Sequence, residues 1–326
     1  MPLVPTSDIE RLSNAAMLRH GATEPVAAEM ARAIAWAEAR DNRICGLYYL
    51  ESYCQQLRSG RVDGTATPVV TLPRPAEVRV DAAHGFAQSA FAAALPRAAE
   101  AAKTNGVAVM AIHNAHTCTA LGFFTEQIAQ AGCIGLGLTN ASAIVAAPGG
   151  KTRVLGTNPM SFAVPDGQGG VAMLFDQSTT TTALGKITMA KAAGEPIPDG
   201  WAVDAEGAPT TDAEAALKGS LTSSGGYKGW GLGLMVEILA ACLTGGTFSA
   251  NVKPLKAPEG APHDLGQCFV FIDPGNADFF ARVRTLADIV AQDEGARMPG
   301  RGKAPATAVE VPDALFDQLT SLASGA

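Results

Sequence analysis

Two short apolar runs separated by a helix-length segment constrain the fold of this chain more than any other feature. VAVMAIH at 107–113 and IGLGLTN at 134–140 are bounded by Gly and Asn, which is typical of buried strands. Residues 120–131 between them have the length and composition of a helix. Two strands joined by a helix predict a βα layer arrangement.

The rest of the chain adds further predicted strands and helices. We expect strands at 161–165, 171–176 and 268–274, and helices at 7–20, 24–40, 47–58, 86–104, 229–243, 276–292 and near the C-terminus. Residues 188–224 are polar and rich in turn signals, so we expect loops there. Because strands and helices do not alternate cleanly, the pattern predicts an α/β or closely mixed α+β fold and argues against a simple doubly wound sheet.

Composition narrows the function classes. The formal net charge is −7 and no block of basic residues occurs, which argues against a nucleic-acid partner. No apolar run reaches the roughly 18 residues that a membrane helix needs, and the N-terminus lacks the pattern of a signal peptide. Six cysteines without pairing rhythm indicate reduced thiols. We therefore expect a cytoplasmic enzyme without a membrane partner.

Candidate ligand sites remain ambiguous when each is judged by itself. GLGLTN lies inside an apolar strand and opens no helix, so it is a poor dinucleotide fingerprint. SSGGYKGWGLGL at 223–234 leads through Lys228 into a helix, which suits an anion as well as a tight loop. His113, His116 and Cys118 are closely spaced but have no further evident ligand, so no metal site is predicted.

Several longer motifs together resemble a known family. They are HNAHTCTALGFF, LGTNP followed by a strand, PDGWAVDAEGAPTTD, GGYKGWGLGLMVEIL and the late basic loop GARMPGRGK, and the similarity runs in order from about residue 7 to 303. The chain is similar to the malate/L-lactate dehydrogenase-like family, which also holds imino-acid reductases, sulfolactate and ureidoglycolate dehydrogenases and diketogulonate reductase. The resemblance implies an NAD(P)-dependent homodimer with a three-layer α/β/α fold around a mixed sheet, a non-Rossmann nucleotide-binding fold and a helical N-terminal region.

The resemblance also implies a division of the chain. Residues 1–105 would form the helical region that carries the substrate side of the active site, and 106–255 would bind the cofactor. Residues 256–326 would pack back and supply the late basic loop, of which Arg297, Arg301 and Lys303 are the cations. The implied cofactor-binding residues are Thr117, Cys118, Thr119, Ala120, Leu121, Asp176, Gln177, Ser178, Lys228, Gly229, Arg297, Pro299, Gly300 and Arg301. NAD and NADP both remain possible, and the basic loop slightly favours NADP.

The substrate side departs from the family pattern. Family members carry Ser-His-Gly after the second helix, where the histidine protonates the substrate, and an arginine four residues later holds its carboxylate. This chain has Ile44, Cys45 and Gly46 there, and Tyr49 at the place of the arginine. Cys45 and His116, with Tyr49 as a further alternative, are therefore the candidates for handling the proton. Tyr49 and Thr157 are the candidates for binding the substrate.

Three interpretations follow. The first is a reductase of cyclic imino acids such as Δ1-pyrroline-2-carboxylate or Δ1-piperideine-2-carboxylate, because a protonated imine needs little help from an acid. The second is a 2-oxo acid/2-hydroxy acid dehydrogenase of the malate or lactate type, although a ketone develops alkoxide charge and needs a donor more. The third is a dinucleotide-binding relative without catalysis. We favour the first.

Overall fold

The computed structural model describes residues 1–275, 278–302 and 304–325. Its strands are β1 (Leu3–Pro5), β2 (Val69–Arg74), β3 (Glu77–Asp81), β4 (Val107–Ala115), β5 (Ile134–Thr139), β6 (Val145–Ala146), β7 (Arg153–Leu155), β8 (Met160–Pro165), β9 (Val171–Gln177), β10 (Ala202–Val203), β11 (Pro209–Thr210), β12 (Ser220–Leu221), β13 (Leu265–Ile272) and β14 (Ala308–Glu310). Its α-helices are α1 (Thr6–Arg19), α2 (Glu24–Ala39), α3 (Leu50–Ser59), α4 (Ala87–Asn105), α5 (Gly122–Gln130), α6 (Leu184–Ala193), α7 (Ala213–Lys218), α8 (Tyr227–Glu237), α9 (Phe279–Val290) and α10 (Asp313–Ser324).

The central element is a seven-stranded mixed sheet with the order β2-β3-β4-β13-β5-β8-β9. β3 and β4 pair in parallel, whereas the other neighbouring strands pair antiparallel. Helices α4 and α5 cover one face, and α8 with the π-helical turn Ile238–Cys242 covers the other. The predicted α/β class with a mixed sheet in three layers is confirmed, and so is the argument against a doubly wound sheet.

The core beneath α4 and α5 is built on aromatic contacts. Phe91 of α4 lies edge-on to Phe124 of α5 and to Phe269 of β13, with ring centres 5.0 and 4.9 Å apart. Phe124 stacks on Phe269 at 5.3 Å. All three rings are fully buried. Such rings bury large apolar areas and add favourable edge and stacking contacts, so they fix α4 and α5 on the sheet.

A second core lies among the helices at the two ends of the chain. α1, α2, α3 and α10 pack together, and β1 pairs with β14 antiparallel. Its centre includes Ile9, Met17, Met30 and Ile34, each at most 1% exposed. The spacing of Met30 and Ile34 on α2 fits one buried helical face, as the sequence predicts. Pro25 stands in the first turn of α2, where its missing N–H costs nothing.

The polar middle of the chain contains structure that the sequence did not predict. Short strands form a five-stranded sheet of order β11-β10-β12-β6-β7, with α6 and α7 packed on each other beside it. These strands are two or three residues long, too short to show alternation, and β12 pairs with β6 across the chain at Leu221 and Val145. β2 and β3 were also missed, since β2 is largely exposed and contains a proline.

Several predicted bounds shift. The predicted helix 47–58 begins as a 3₁₀ turn at Leu47–Tyr49 before α3, and 229–243 is divided between α8 and the π-helical turn. α9 occupies the predicted helix 276–292, of which residues 276 and 277 lie outside the described residues.

Each of the three predicted segments of the chain contributes strands to the seven-stranded sheet, and the segment boundaries stay a prediction. Of the helices described, none has the length and apolarity needed to cross a membrane.

Gly266 on β13 provides a test of the layer packing. A Cβ there would lie 1.7 Å from the Ala240 carbonyl oxygen and 2.1 Å from Thr244 Oγ1. We expect Gly266→Ala to lower the free energy of unfolding by about 3 kcal/mol, because the π-helical turn must move off the sheet. Urea denaturation measures it.

Gly185 on α6 serves as the control, since its nearest neighbouring atom would lie 3.9 Å from an added Cβ. Gly185→Ala should leave stability unchanged or raise it by up to about 1 kcal/mol, the helix preference of alanine. Equal destabilisation by the two substitutions would contradict the proposed close contact at Gly266.

Candidate active site

The stretch 44–49 follows α2 and is held by a buried carboxylate. Glu38, 5% exposed, accepts a hydrogen bond at Oε1 from the Leu47 N–H over 2.7 Å. Burial raises the pKa of Glu38, and the Leu47 N–H partly opposes this rise. A Cβ on Gly46 would overlap Glu38 Oε1 at 2.2 Å. Gly46 is therefore required because the chain passes directly over the Glu38 side chain.

Cys45 and Tyr49 form a group of weak, neutral acids. Burial, with a contribution from the nearby Asp176 carboxylate, raises the pKa of Cys45 to about 12. Burial raises the pKa of Tyr49 to about 12, and Cys45 adds to that rise. The ring of Tyr49 stacks on Tyr53 with centres 5.7 Å apart. At neutral pH both the thiol and the phenol therefore keep their protons, and the thiol is not a nucleophilic thiolate.

Asp176 lies near the end of β9 and binds the start of α5. Its Oδ2 accepts the Gly122 N–H over 2.8 Å. Asp176 is exposed at the surface of the cleft, so solvent reaches its carboxyl, although protein atoms also lie closely around it. Burial raises its pKa to about 6, and the N–H groups of Gly122 and Leu121 limit the rise. Of Cys45, Tyr49 and Asp176, Asp176 has the pKa closest to neutral pH.

The predicted cofactor loop 117–121 connects β4 to α5. Thr119 is partly exposed, whereas Thr117, Cys118, Ala120 and Leu121 are buried. Thr119 has a φ of +55°, and its hydroxyl donates to the Cys118 carbonyl over 2.7 Å. Thr119 also lies beside the buried Tyr53 hydroxyl. The loop is thus fixed in shape, and a ligand can meet it through Thr119.

The late basic loop lies along the outer edge of β9. The Leu174 N–H donates to the Pro299 carbonyl over 3.1 Å, and Gly300 approaches the same residue so closely that a Cβ would lie 2.8 Å from its carbonyl oxygen. Gly300 also has a φ of +76°, which favours glycine. Arg297 and Arg301 are exposed on this loop, and Lys303 lies outside the described residues. The loop therefore contacts β9 at Leu174, two residues before Asp176.

A cleft of about 1050 Å³ runs between α2, α5, the edge of β9 and the late loop. Its lining includes Trp36, Arg40, Asn42, Arg43, Glu126, Met173, Asp176, Gly300 and Pro305. A volume near 1,000 Å³ is at the upper end for ligand sites, which suits a dinucleotide. The two lining arginines are paired with carboxylates, Arg40 with Glu126 and Arg43 with Asp41, whereas the glycine turn of the late loop brings exposed arginines next to the cleft, which suits a phosphate-bearing ligand. These residues therefore fit a pyridine nucleotide.

Thr157 is positioned by a buried polar network around its neighbour Asn158. Asn158 has a φ of +36°, and its amide donates to Glu237 Oε2 over 2.8 Å and to the Gly233 carbonyl over 3.0 Å. Ser249 donates to the same Glu237 oxygen over 2.6 Å. The Thr157 carbonyl accepts the Thr179 N–H over 3.0 Å. LGTNP is thereby tied to the segment after Asp176. Glu237 was not predicted as a site residue from the sequence, because it stands alone in an apolar helix.

His116 lies deeper than its predicted role as a proton donor requires. The ring is 1% exposed, Nε2 lies 2.9 Å from Gln56 Oε1, and Tyr53 and His263 pack against it. Burial lowers its pKa well below the ordinary value, and His263 and Arg61 add to this. The imidazole is therefore neutral, which argues against an imidazolium donor, and its catalytic role stays a prediction.

The other predicted cofactor residues are distributed unevenly. Gln177 and Ser178 follow Asp176 at the end of β9, and the Ser178 hydroxyl lies 2.9 Å from Thr180 Oγ1. Lys228 and Gly229 lie in the first turn of α8, on the opposite side of the sheet from α5, and do not line the cleft. Lys228 is exposed and Gly229 is buried against Ser224. Their contacts with a cofactor stay predictions.

Comparison with known proteins agrees with this geometry. A family model described as malate/L-lactate dehydrogenase matches residues 4–318. A Δ1-pyrroline-2-carboxylate/Δ1-piperideine-2-carboxylate reductase of Pseudomonas putida is 39% identical over 301 residues, covering 91% of this chain and 88% of the relative. A (2R)-3-sulfolactate dehydrogenase (NADP(+)) of Chromohalobacter salexigens is 35% identical, covering 98% of each chain.

A solved structure shows the same fold. The crystal structure of Δ1-piperideine-2-carboxylate reductase from Pseudomonas syringae pv. tomato has a TM-score of 0.87 to this chain at 33% identity. It covers 99% of this chain and 100% of that chain. The likeness extends over the whole architecture, including the helices at both ends.

The raised pKa of Asp176 predicts a pH-dependent contribution to stability. The folded pKa of about 6 exceeds the ordinary 3.8, so the folded state binds this proton more tightly than the unfolded state. Asp176 should therefore favour folding less as pH rises from about 4 through 6. We expect the unfolding free energy of wild type minus that of Asp176→Asn to fall across this window, as measured by urea denaturation.

The same pair of proteins at pH 8 and 9 provides the control. Both states of Asp176 are ionised there, so the difference between wild type and Asp176→Asn should be constant. A difference that is flat between pH 4 and 7 as well would show that Asp176 titrates normally.

Proposed function

Because the chain belongs to the malate/L-lactate dehydrogenase family, we propose that this oxidoreductase uses a reduced pyridine nucleotide to reduce a small cyclic imino acid. Δ1-Pyrroline-2-carboxylate and Δ1-piperideine-2-carboxylate, which name several relatives, are the preferred substrates. A 2-oxo acid is the alternative substrate class.

One observation carries the preference for an imine: the Asp176 carboxylate lies close to Cys45. With a pKa of about 6 it is mostly ionised at neutral pH. A negative charge near the reacting C=N group favours its protonated, positively charged form. The iminium carbon is the stronger hydride acceptor, and the nitrogen already carries the proton of the product. Asp176 would thus activate the substrate by stabilising its charge.

The same group of residues is poorly suited to a ketone. Hydride transfer to a carbonyl builds negative charge on oxygen, which needs a good acid or a cationic donor. Cys45 and Tyr49, each with a pKa of about 12, are weak acids, and His116 is neutral and buried. A nearby aspartate opposes alkoxide formation. Imino acids therefore fit this site better than 2-oxo acids.

The residues have separate roles in the proposed reaction. A bound nicotinamide supplies the hydride. Asp176 favours the iminium form, and Tyr49 and Thr157 position the substrate. Cys45 remains a protonated, uncharged group at the substrate, available to hydrogen-bond or to donate. Because the thiol holds its proton so firmly, we assign the reacting proton to the substrate nitrogen and keep Cys45 as the second candidate for its source.

The nucleotide would occupy the cleft beside Asp176 and the late loop. Gly300 lines this cleft, and Arg297 and Arg301 are exposed on the same loop as Gly300. Guanidinium groups bind phosphates through paired hydrogen bonds. We propose NADPH rather than NADH, because an additional phosphate suits this concentration of arginines. Titration of the protein with both nucleotides, followed by fluorescence, would distinguish them.

An exposed apolar face on α8 supports a homodimer. Tyr227, Leu234 and Ile238 share one side of the helix and its π-helical extension, and they are 73, 39 and 55% exposed. Gly231 lies between them with open space around its Cα. Contiguous apolar surface of this kind marks protein interfaces. We propose that a second copy covers this face, and that the enzyme is cytoplasmic, where its six free cysteines would stay reduced.

Substrate assays with Cys45 variants test the reaction. We expect wild type to oxidise NADPH with cyclic imino acids at higher kcat/KM than with 2-oxo acids. Cys45→Ala should lower kcat/KM for the imine by less than tenfold, since the ~10²–10⁴ contribution of a general acid is not used. Cys45→His should raise the rate with 2-oxo acids more than with imines, because it adds a better donor.

Two outcomes would overturn parts of this scheme. A loss of about 100-fold or more in Cys45→Ala with the imine would show that the thiol is the proton donor. Nucleotide binding without turnover of any imino or oxo acid would favour a binding protein.

The proposed dimer has its own test. Ile238→Glu should shift the protein to a monomer in light scattering, because burying an unpaired charge in an apolar interface is strongly unfavourable. Leu286→Glu on α9, also exposed at 51%, makes the same chemical change elsewhere and should leave the mass unchanged. A monomeric wild type would exclude the α8 interface.

A further inference from the structure

Lys256, from a distant part of the chain, lies against residues 44–49, the active-site stretch that contains Cys45 and Tyr49. Lys256 Nζ donates to the Tyr48 carbonyl over 3.0 Å and lies 3.3 Å from the centre of the Tyr48 ring. It is 4.9 Å from the centre of the Tyr49 ring. An ammonium over the face of a tyrosine is attracted by the ring quadrupole. Lys256 is thus placed by two tyrosines of the stretch that contains Cys45.

Side chains of α3 and of the turn that follows it hold the backbone on both sides of Lys256. Gln56, fully buried, donates through Nε2 to the Leu255 carbonyl over 2.7 Å and to the Ala257 carbonyl over 2.8 Å. Ser59 donates to the Pro258 carbonyl over 2.6 Å. Arg61, 1% exposed, donates to Ala257 and to Ala261. These bonds fix the loop, so the position of Lys256 is built into the fold.

The positive charge of Lys256 is not neutralised by a neighbouring acid. Within the described part of the chain, no carboxylate oxygen lies within 4.0 Å of its ammonium. An ammonium has three donors, and the Tyr48 carbonyl takes one. The nearby arginines differ, since Arg43 pairs with Asp41 at 3.0 Å and Arg40 with Glu126 at 2.7 Å. Among the described residues, Lys256 is thus a cation beside this stretch that can accept an anionic ligand without breaking an ion pair.

We propose that Lys256 binds the carboxylate of the substrate. This inference rests on the proposed function, in which the substrate is a small carboxylate. Tyr49 connects the two ends of the site, because its ring lies by the ammonium and its hydroxyl interacts electrostatically with Cys45. A substrate with its C=N group near Cys45 and Asp176 would direct its carboxylate along Tyr49 to Lys256. Asp176 would then face the positive iminium and Lys256 the negative carboxylate. Each charge of the substrate would therefore meet an opposite charge of the site.

Steady-state kinetics of Lys256→Met and Lys256→Arg test the assignment. A hydrogen bond to a charged group contributes about 1.5–3 kcal/mol, which corresponds to about 10- to 100-fold. We expect Lys256→Met to raise KM for the cyclic imino acid by that factor with kcat changed less than threefold. Lys256→Arg should stay within about fivefold of wild type, because it keeps the charge and the donors.

A substrate without the carboxylate separates binding from scaffolding. With 1-pyrroline, wild type and Lys256→Met should have the same kcat/KM, since the lost contact was never made. If Lys256 only holds the loop on Tyr48, Lys256→Met will impair both substrates equally and lower the melting temperature. Lys253→Met, a substitution in the same loop, is the matched control and should leave both substrates unaffected.

A binding measurement keeps the proposal testable apart from turnover. Calorimetry with pyrrole-2-carboxylate, a planar unreactive carboxylate, should show about 10- to 100-fold weaker binding to NADPH-loaded Lys256→Met than to wild type. Equal affinity would overturn the assignment of Lys256 even if the enzyme reduces imino acids. A wild type that reduces no imino or oxo acid would overturn the proposed function, and selective loss of carboxylate binding in Lys256→Met would then still establish the anion site. If Lys256→Met does not fold, Lys256→Gln takes its place in both measurements.

Discussion

The hydrogen bond from the Gly122 N–H to the Asp176 carboxylate is the interaction on which the site depends. The first N–H groups of a helix have no partner within it, and Asp176 supplies one for α5 from the neighbouring strand β9. This bond joins the strand to the loop after β4. Two residues before Asp176 on β9, the Leu174 N–H donates to the Pro299 carbonyl and so holds the late basic loop. One edge strand thus places both walls of the cleft and the carboxylate at its floor.

That arrangement explains why Asp176 has a charge state that sequence could not reveal. The resemblance placed a nucleotide contact at this position, but a pKa of about 6 arises from protein atoms that surround the carboxyl in the folded chain. The backbone donors at α5 keep the pKa from rising further. Charge state is a tertiary property. The same holds for Cys45, whose pKa of about 12 makes it a much weaker acid than the proton donor that its position suggests.

The elements that sequence predicted are those with long local patterns. β4, α5 and β5 were visible because apolar runs and one helical segment follow each other, and α2 because Met30 and Ile34 repeat at helical spacing. The five-stranded sheet was invisible because its strands are short and pair across the chain, as β12 does with β6. The residues around the active-site stretch divide in the same way. Cys45 and Tyr49 were found from a local motif, whereas Glu38 and Lys256 act through contacts that only the fold creates.

Gln56 shows how a polar residue in the core can connect these parts. Its amide donates to the loop around Lys256, and its carbonyl oxygen lies 2.9 Å from His116. A neutral imidazole at this place can donate one hydrogen bond to Gln56 without introducing a buried charge, and its low pKa secures that state. His116 therefore fits the scaffold that fixes the loop better than it fits the proton transfer. The position of Lys256 beside Tyr49 consequently depends on a residue that is far away in sequence, since Gln56 holds the backbone on both sides of Lys256.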